Sequence, residues 1–307
     1  MARALACPAS LKGVLSARAA AAALAEGLRE WAEVDELPLA DGGEGTLDVL
    51  FEALGGAWRH ADVVDAFGRP HRARWLALPD GTAAVEAAEA IPLDPARVDP
   101  RAASSRGLGR LIQAVGRPRA LLVCLGGTAT MDAGAGLLGL VGQLPAPTRV
   151  ACDVDATLDE APRLFGPQKG ASPALVEELA ARFARLHELA PYAALPGAGA
   201  AGGIGAALAA LGGELVPGAR LVAELVGLDP RPYDLVVTGE GAVDATTARG
   251  KAPSEVVRRC REAGVRCVVF GGRVLDRLDG AETVALGGDP SRAREDLVSL
   301  GRHLRSR

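Results

Sequence analysis

The stretch "YDLVVTGEG", Tyr233 to Gly241, with "PSEVVRRCREAG" from Pro253 and "VRCVVFGG" from Val265 after it, decides how this chain folds. A short apolar run ends in glycines. A segment with Pro253 in its first turn and Gly264 at its end then has the apolar spacing of a helix. A second valine-rich run follows. Strand, crossover helix and strand at these lengths build a parallel sheet, because parallel neighbours need a long connection between them. The N-terminal residues repeat the pattern: "ALAC" reads as a strand, Ser16 as the cap of an Ala-rich helix running towards Glu30, and "VDELPLA" as the next strand. Thr46 is expected to cap a helix that ends at Gly55 with Leu47, Leu50, Phe51 and Leu54 on one face. A weaker strand, "ETVALGG", lies near the C-terminus.

Between these ends the pattern changes. Residues 61–100 carry short β-rich runs, "HRARWLAL" and "TAAVEAA", and no long helix is expected before about Leu108. The reading is an α/β chain in which residues 1–60 and 225–307 form one discontinuous parallel-sheet domain, interrupted by a second α/β domain over 61–224. A length of 307 residues accommodates two domains of the usual size, about 100 to 200 residues each.

Composition excludes several classes of function. A net charge of −4 supplies no basic field for nucleic acid or anionic membrane, and 3% aromatics leave little for base stacking. The five cysteines lack any Cys-x-x-Cys spacing and four sit in apolar runs, so buried thiols are expected. No apolar stretch of secretory length precedes Pro8, and a cytoplasmic location is expected. The segment Ala120 to Gly142 is long enough to suggest a membrane span, but Asp132 and its glycines indicate a strand, a tight turn and a helix.

Two copies of one pattern carry the first chemical signal: "GEGTLD" from Gly43 and "GEGAVD" from Gly239. Each follows an apolar run, which puts Glu44 and Glu240 at carboxyl ends of a sheet, where open α/β folds bind ligands. Glycines on both sides of an acid give a sharp turn with N–H groups open to an anion, or else a turn whose acid caps a helix. "GGTATMDAGAG" from Gly126 offers Thr128, Thr130 and Asp132, either as one wall of a phosphate site or as the cap of the next helix. Gly197, Gly199 and Gly202 have G-x-G-x-x-G spacing, but "HELAPYAALP" before them is no strand. A dinucleotide site is therefore disfavoured against a glycine-rich helix start near phosphate or close helix packing. "ARGKAPS" departs from a Walker A loop at Ala245 and Ala252, and four histidines without metal spacing disfavour zinc hydrolysis.

The lysines are the second signal. Of 34 basic residues only Lys12, Lys169 and Lys251 are lysine, and each adjoins a glycine, in "SLKGVLS", "PQKGA" and "RGKAP". A compact, rotatable ammonium suits a moving phosphate or carboxylate better than a planar guanidinium fork. Glycine loops, carboxylates and isolated lysines are together what phosphoryl transfer uses: cations and donors around the transferred group, acids for Mg²⁺, and an acid beside the acceptor hydroxyl.

In the order "PASLKGVLSA", "PLADGGEGTLDVL", "GGTATMDAGAG", "ACDVD", "FGPQKGA", "GAGAAGGIGAAL" and "TGEGAVDATTARGKAP", the motifs from about residue 5 to 272 resemble the bacterial glycerate kinases of the type 1 family. The resemblance implies a flavodoxin-like parallel-sheet domain interrupted by an inserted α/β domain, and ATP-dependent phosphorylation of D-glycerate, commonly at the 2-hydroxyl, with Mg²⁺. It implies an active site in the interdomain cleft. There Asp41, Lys12 and Lys169 would be catalytic, and Ser10, Glu44, Thr128 and Asp132 would bind substrate. Gly42, Gly43, Gly45, Gly239, Gly241 and Lys251 would hold the nucleotide, and Asp153, Glu240 and Asp244 the metal. Glycerate and ATP are the expected partners, with no nucleic acid or membrane partner and a homodimer as the assembly to test for. The chain departs from the family pattern at Ala9, Leu11, Met131, Ala156 to Leu158, Ala242 and Thr246, and is compressed around residues 142–165. Those departures keep open a non-catalytic ligand sensor with the kinase fold; the G-x-G-x-x-G spacing alone keeps open an NAD-dependent oxidoreductase.

If the three lysines serve anion recognition, Lys→Arg is not conservative at any of them. Each such variant is expected to lose at least about tenfold in kcat/KM, roughly 1.4 kcal/mol, in steady-state assays, whereas surface leftovers would tolerate arginine silently.

Overall fold

The computed structural model describes residues 1–245, 247 and 250–305; Thr246, one of the departures above, lies outside them. Its first strands are β1 (Ala2–Ala6), β2 (Ala32–Glu36), β3 (Ala57–Val64), β4 (Pro70–Ala77) and β5 (Thr82–Glu86). There follow β6 (Ala120–Leu125), β7 (Thr148–Cys152), β8 (Glu214–Pro217), β9 (Leu235–Val243), β10 (Arg266–Val274) and β11 (Glu282–Ala285). The chain divides into two compact units, one of Met1–Asp41, Asp48–Ala53 and Ala219–Arg307, the other of Gly42–Leu47 and Leu54–Gly218.

The first unit holds a five-stranded sheet in the order β11-β10-β9-β1-β2, every pairing parallel. Counted within this unit, the order is the 2-1-3-4-5 of flavodoxin-like sheets. Its central strands are apolar on both faces, as a sheet covered by helices on both sides requires. Leu5, Val236 and Val269 belong to one core cluster; Ala4, Ala6, Val237, Val268 and Phe270 belong to the other. Over the latter lies the helix Ala17–Leu28, capped by Ser16, whose Oγ accepts the Ala19 N–H at 3.1 Å. The helix Ala293–His303 packs against it, brought close because Gly27 and Gly301 present bare backbone to each other's helix. Val256, Val257 and Cys260 of the helix Ala252–Ala263 join the opposite cluster.

Two expectations shift here. The second strand lies at Ala32–Glu36 rather than over "VDELPLA", although Leu37 and Leu39 N–H still reach the Ala6 and Pro8 carbonyls. The glycines of "GEG" after Thr238 do not end their strand: β9 runs on to Val243, with Gly239 opposite Phe270 and Glu240 opposite Gly271. The reason is close packing. A side chain at Gly239 would run into the Phe270 carbonyl and stand 2.5 Å from the Phe270 ring.

The second unit contains a six-stranded sheet in the order β3-β4-β5-β6-β7-β8. β3, β4 and β5 pair antiparallel, and β5 through β8 parallel. Val85, Leu121, Val123, Ile91, Leu108 and Leu111 fill its main core. The helix Arg106–Ala114 begins close to the expected position. The glycine-rich run from Pro196 enters the helix Ala200–Ala210 through Ala201, Gly202 and Gly203, at φ 54°, 69° and 93°, all buried. What precedes it is a short 3-10 turn, His187–Tyr192, not the strand that a dinucleotide fold requires. The run packs backbone on backbone: a Cβ on Gly202 would collide with the Thr130 carbonyl and lie 3.0 Å from Met131 Cα, and Ala133 N–H donates to the Gly202 carbonyl at 3.0 Å. All five cysteines are buried and free. Among the described residues no helix is long and apolar enough to cross a membrane.

Gly202→Ala combines a left-handed backbone with an occupied space. It is expected to cost on the order of 3 kcal/mol in urea unfolding, whereas Gly212→Ala, with open space around it, costs only the backbone part.

Candidate functional site

In the first unit the strand order reverses at β1, which pairs with β2 on one side and β9 on the other. The helices that follow β1 and β9 pack on opposite faces of the sheet, and open α/β sheets bind ligands at the carboxyl ends of strands at such a reversal. The segment after β1 stays beside β9, with Cys7 N–H donating to the Val237 carbonyl and Ala9 N–H to the Gly239 carbonyl. It then turns through an isolated bridge between Leu11 and Leu15, leaving Ser10 and Lys12 exposed. The bare face of Gly241 lies beside this turn, where a Cβ would stand 3.6 Å from Lys12 N.

Glu240 is the centre of this cluster. Its Oε1 accepts the Thr247 hydroxyl at 2.7 Å and its Oε2 pairs with Lys251 Nζ at 3.6 Å. Asp244 N–H donates to Thr247 Oγ1 at 3.1 Å, tying the loop back on itself. Burial pushes the Glu240 carboxyl above its usual range; the Lys251 ammonium and the Thr247 hydroxyl pull it down, while Asp41 and Asp244 push it up. Three carboxylates thus share one field with one ammonium. Lys251 also occupies the N-cap of the helix Ala252–Ala263, and its own side chain makes no capping hydrogen bond there. A cation at a helix N-terminus favours a bound anion.

The second unit gathers its own cluster at the carboxyl ends of β5, β6 and β7. These strands deliver Glu86, the Gly126–Thr128 turn and Asp153 respectively. Gly43 lies directly against Gly126, leaving no room for a Cβ there, and Asp153 Oδ2 would be 3.0 Å from one. Glu44 is exposed beside Gly127. Lys169 is buried, its Nζ donating to the Thr130 carbonyl at 2.8 Å and to Thr128 Oγ1 at 3.5 Å. Burial lowers its pKa to about 8, against the pull of the Asp153 and Asp132 carboxylates.

Two sequence readings are resolved by these contacts. Asp132 caps: its Oδ2 accepts from Ser105 N (2.7 Å), Ser105 Oγ (2.9 Å) and Gly136 N (3.1 Å), and its Oδ1 from Gly134 N at 3.0 Å. Thr46 does not cap its helix, because its hydroxyl donates to the Gly43 carbonyl at 2.6 Å. The N–H groups at that helix start go to Glu86, with Oε1 accepting from Gly45 at 2.9 Å and Oε2 from Leu47 at 3.2 Å. The Gly45 N–H, expected to be open to an anion, is therefore taken from within the chain.

Ser10, Lys12, Asp41, Gly239, Glu240, Gly241, Asp244 and Lys251 belong to the first unit; Gly42, Gly43, Glu44, Gly45, Thr128, Asp132, Asp153 and Lys169 belong to the second. Sequence reasoning missed Thr247 and Glu86. The signal for Glu86 was present, an acid closing the apolar run "TAAVE", but nothing local says that it reaches another loop. Among the described residues no three of His, Cys, Asp and Glu are grouped to hold a metal ion by themselves. Mg²⁺ needs no such cage, since it is commonly held by one or two carboxylates together with phosphate oxygens. Glu240 and Asp244 supply that donor type beside Lys251.

The chain matches the model of the glycerate kinase family over residues 4–146 and 143–287. It is 35% identical to glycerate 2-kinase of Escherichia coli K12, covering 88% of this chain and 84% of that one. It is 34% identical to a glycerate kinase of Bacillus subtilis 168, covering 87% and 84%. A crystal structure from Salmonella typhimurium LT2, assigned as glycerate kinase 2, superposes with a TM-score of 0.80 at 30% identity over 99% of this chain and 97% of that one.

Lys169 makes stability depend on pH in a definite direction. Its folded pKa of about 8 lies below the ordinary 10.5, so between those values the unfolded chain holds a proton that the folded chain does not. Its contribution to stability is therefore most unfavourable below pH 8 and improves as pH rises towards 10.5, by on the order of 3 kcal/mol in total. Urea midpoints of the unaltered chain minus those of Lys169→Met are expected to rise across pH 8 to 10.

Proposed function

Because the chain belongs to the glycerate kinase family, as the family model and the relatives at about 35% identity show, we propose that it phosphorylates D-glycerate with ATP at the 2-hydroxyl, as a type 1 enzyme, giving 2-phosphoglycerate. The observation that carries this reading is the Glu240 cluster at the reversal point of a flavodoxin-like sheet. Asp41 and Asp244 share its field, Lys251 pairs with it, and a helix N-terminus starts at Lys251. In this reading Lys251, the strand segment Gly239 to Gly241 and the first N–H groups of the Ala252–Ala263 helix receive the nucleotide phosphates. Glu240 and Asp244 would hold Mg²⁺, which supplies charge neutralisation for the transferring group when bound.

Asp41 then orients the acceptor hydroxyl and takes its proton, while Ser10 and Lys12 receive the substrate carboxylate. Lys169 is read as a catalytic cation, Thr128 and Glu44 as substrate ligands and Asp153 as a further candidate for Mg²⁺. Asp132, a substrate ligand in the sequence reading, also fixes the backbone here through Ser105, Gly134 and Gly136. Gly42, Gly43 and Gly45 contribute by letting backbones approach. The protein is read as cytoplasmic, acting on small molecules alone, with a homodimer as the oligomer to look for by light scattering.

Incubation with Mg-ATP and D-glycerate, with the product identified by phosphorus and carbon NMR, tests the reading directly. The expected product is 2-phosphoglycerate. 3-Phosphoglycerate would overturn the regiochemistry, and binding of ATP or glycerate without ADP release from any acid tested would favour a sensor. Asp41→Asn is expected to lower kcat at least about a hundredfold while ATP still binds, by isothermal titration.

A further inference from the structure

Glu86 is buried to 3% exposure, yet no expected step of the reaction uses it. It is the last residue of β5 and stands in the N-cap position of the short helix Ala87–Ala90, but its side chain makes no capping hydrogen bond there. Instead both carboxylate oxygens are directed at another loop. Oε1 takes the Gly45 N–H at 2.9 Å and Oε2 the Leu47 N–H at 3.2 Å. A serine or asparagine within the loop would satisfy the same donors without the cost of burying a carboxylate. What a local cap cannot do is fix where the loop lies. Glu86, held rigidly by its pairing with Cys124 of β6, ties Gly42–Leu47 to the sheet. The loop's other surfaces are then set. Gly43 seats on Gly126, and Glu44 falls beside Gly127, next to Thr128 and its partner Lys169.

We propose that Glu86 is a positioning residue for the acceptor substrate, clamping the Gly45 and Leu47 N–H groups so that Glu44 is held at the carboxyl end of β6. It acts through Glu44 and the Gly42–Gly45 backbone, without touching the substrate. The assignment to this reaction rests on the glycerate kinase reading above; the clamp itself does not.

Glu86→Gln is the informative variant, because it keeps the volume but replaces one acceptor oxygen by an amide donor facing an N–H. In this variant kcat/KM for glycerate is expected to fall at least about tenfold, with KM for ATP changed less than about twofold. Amide exchange at Gly45 and Leu47 should accelerate at least about tenfold, while Leu50 in the same helix is unchanged. A lowered melting temperature with unaltered kcat/KM per folded molecule would reduce Glu86 to a structural role and overturn the proposal. If Glu86→Gln does not fold, the unaltered protein decides: Gly45 and Leu47 amides exchanging as slowly as Leu50 support the clamp, and fast exchange at either refutes it. If the unaltered protein makes no phosphoglycerate, the reaction assignment fails, and the exchange measurement still decides the clamp.

Discussion

The pairing of β1 with β9, Ala4 to Leu235 and Ala6 to Val237, is the constraint on which the first unit depends. Without it the N-terminal strands would have no sheet to join, since β1 otherwise pairs only with β2. Because the pairing is parallel and in the middle of the sheet, both strands end on the same edge. The loop carrying Ser10 and Lys12 and the strand end carrying Glu240 meet there as a direct result. The helix dipole at Lys251 and the burial of Glu240 act on the same small volume because this one register brings them to it.

The second unit solves a different problem, which is how to hold charges inside a glycine-rich framework. Lys169 and Glu86 are both buried, and each is compensated by backbone: a carbonyl for the ammonium, two N–H groups for the carboxylate. Removing one of these partners would weaken the compensation of a buried charge, a loss that can reach several kcal/mol. The glycines make this geometry reachable. Gly126 against Gly43 and Gly202 against Thr130 bring main chains closer than any side chain allows, so the polar groups of one segment can satisfy those of the next.

Much of the fold was legible locally. The alternation of valine-rich runs with capped helices identified the parallel sheet at both chain ends, and Ser16, Gly55, Pro253 and Gly264 stand at or beside the helix ends they were read to mark. Where the reading slipped, packing overrode local preference. Gly239 looked like a turn but sits inside a strand because Phe270 needs its space, and Thr46 looked like a cap but yields that task to Glu86. Neither partner is near in sequence, so no local pattern could reveal it.

By itself the sequence determined the classes of element and the burial of the cysteines. Three lysines in a chain of arginines, each beside a glycine, are a pattern visible without coordinates. Tertiary structure decided which of those groups share a field and which are only neighbours in the chain. The two "GEG" motifs are nearly alike in letters, yet one starts a helix held by a buried carboxylate and the other lies inside a strand beside an ion pair. The physical reason is that a glycine or a carboxylate has no fixed role of its own. Its role is set by the backbone that comes within a few ångströms, and that backbone arrives from distant parts of the chain.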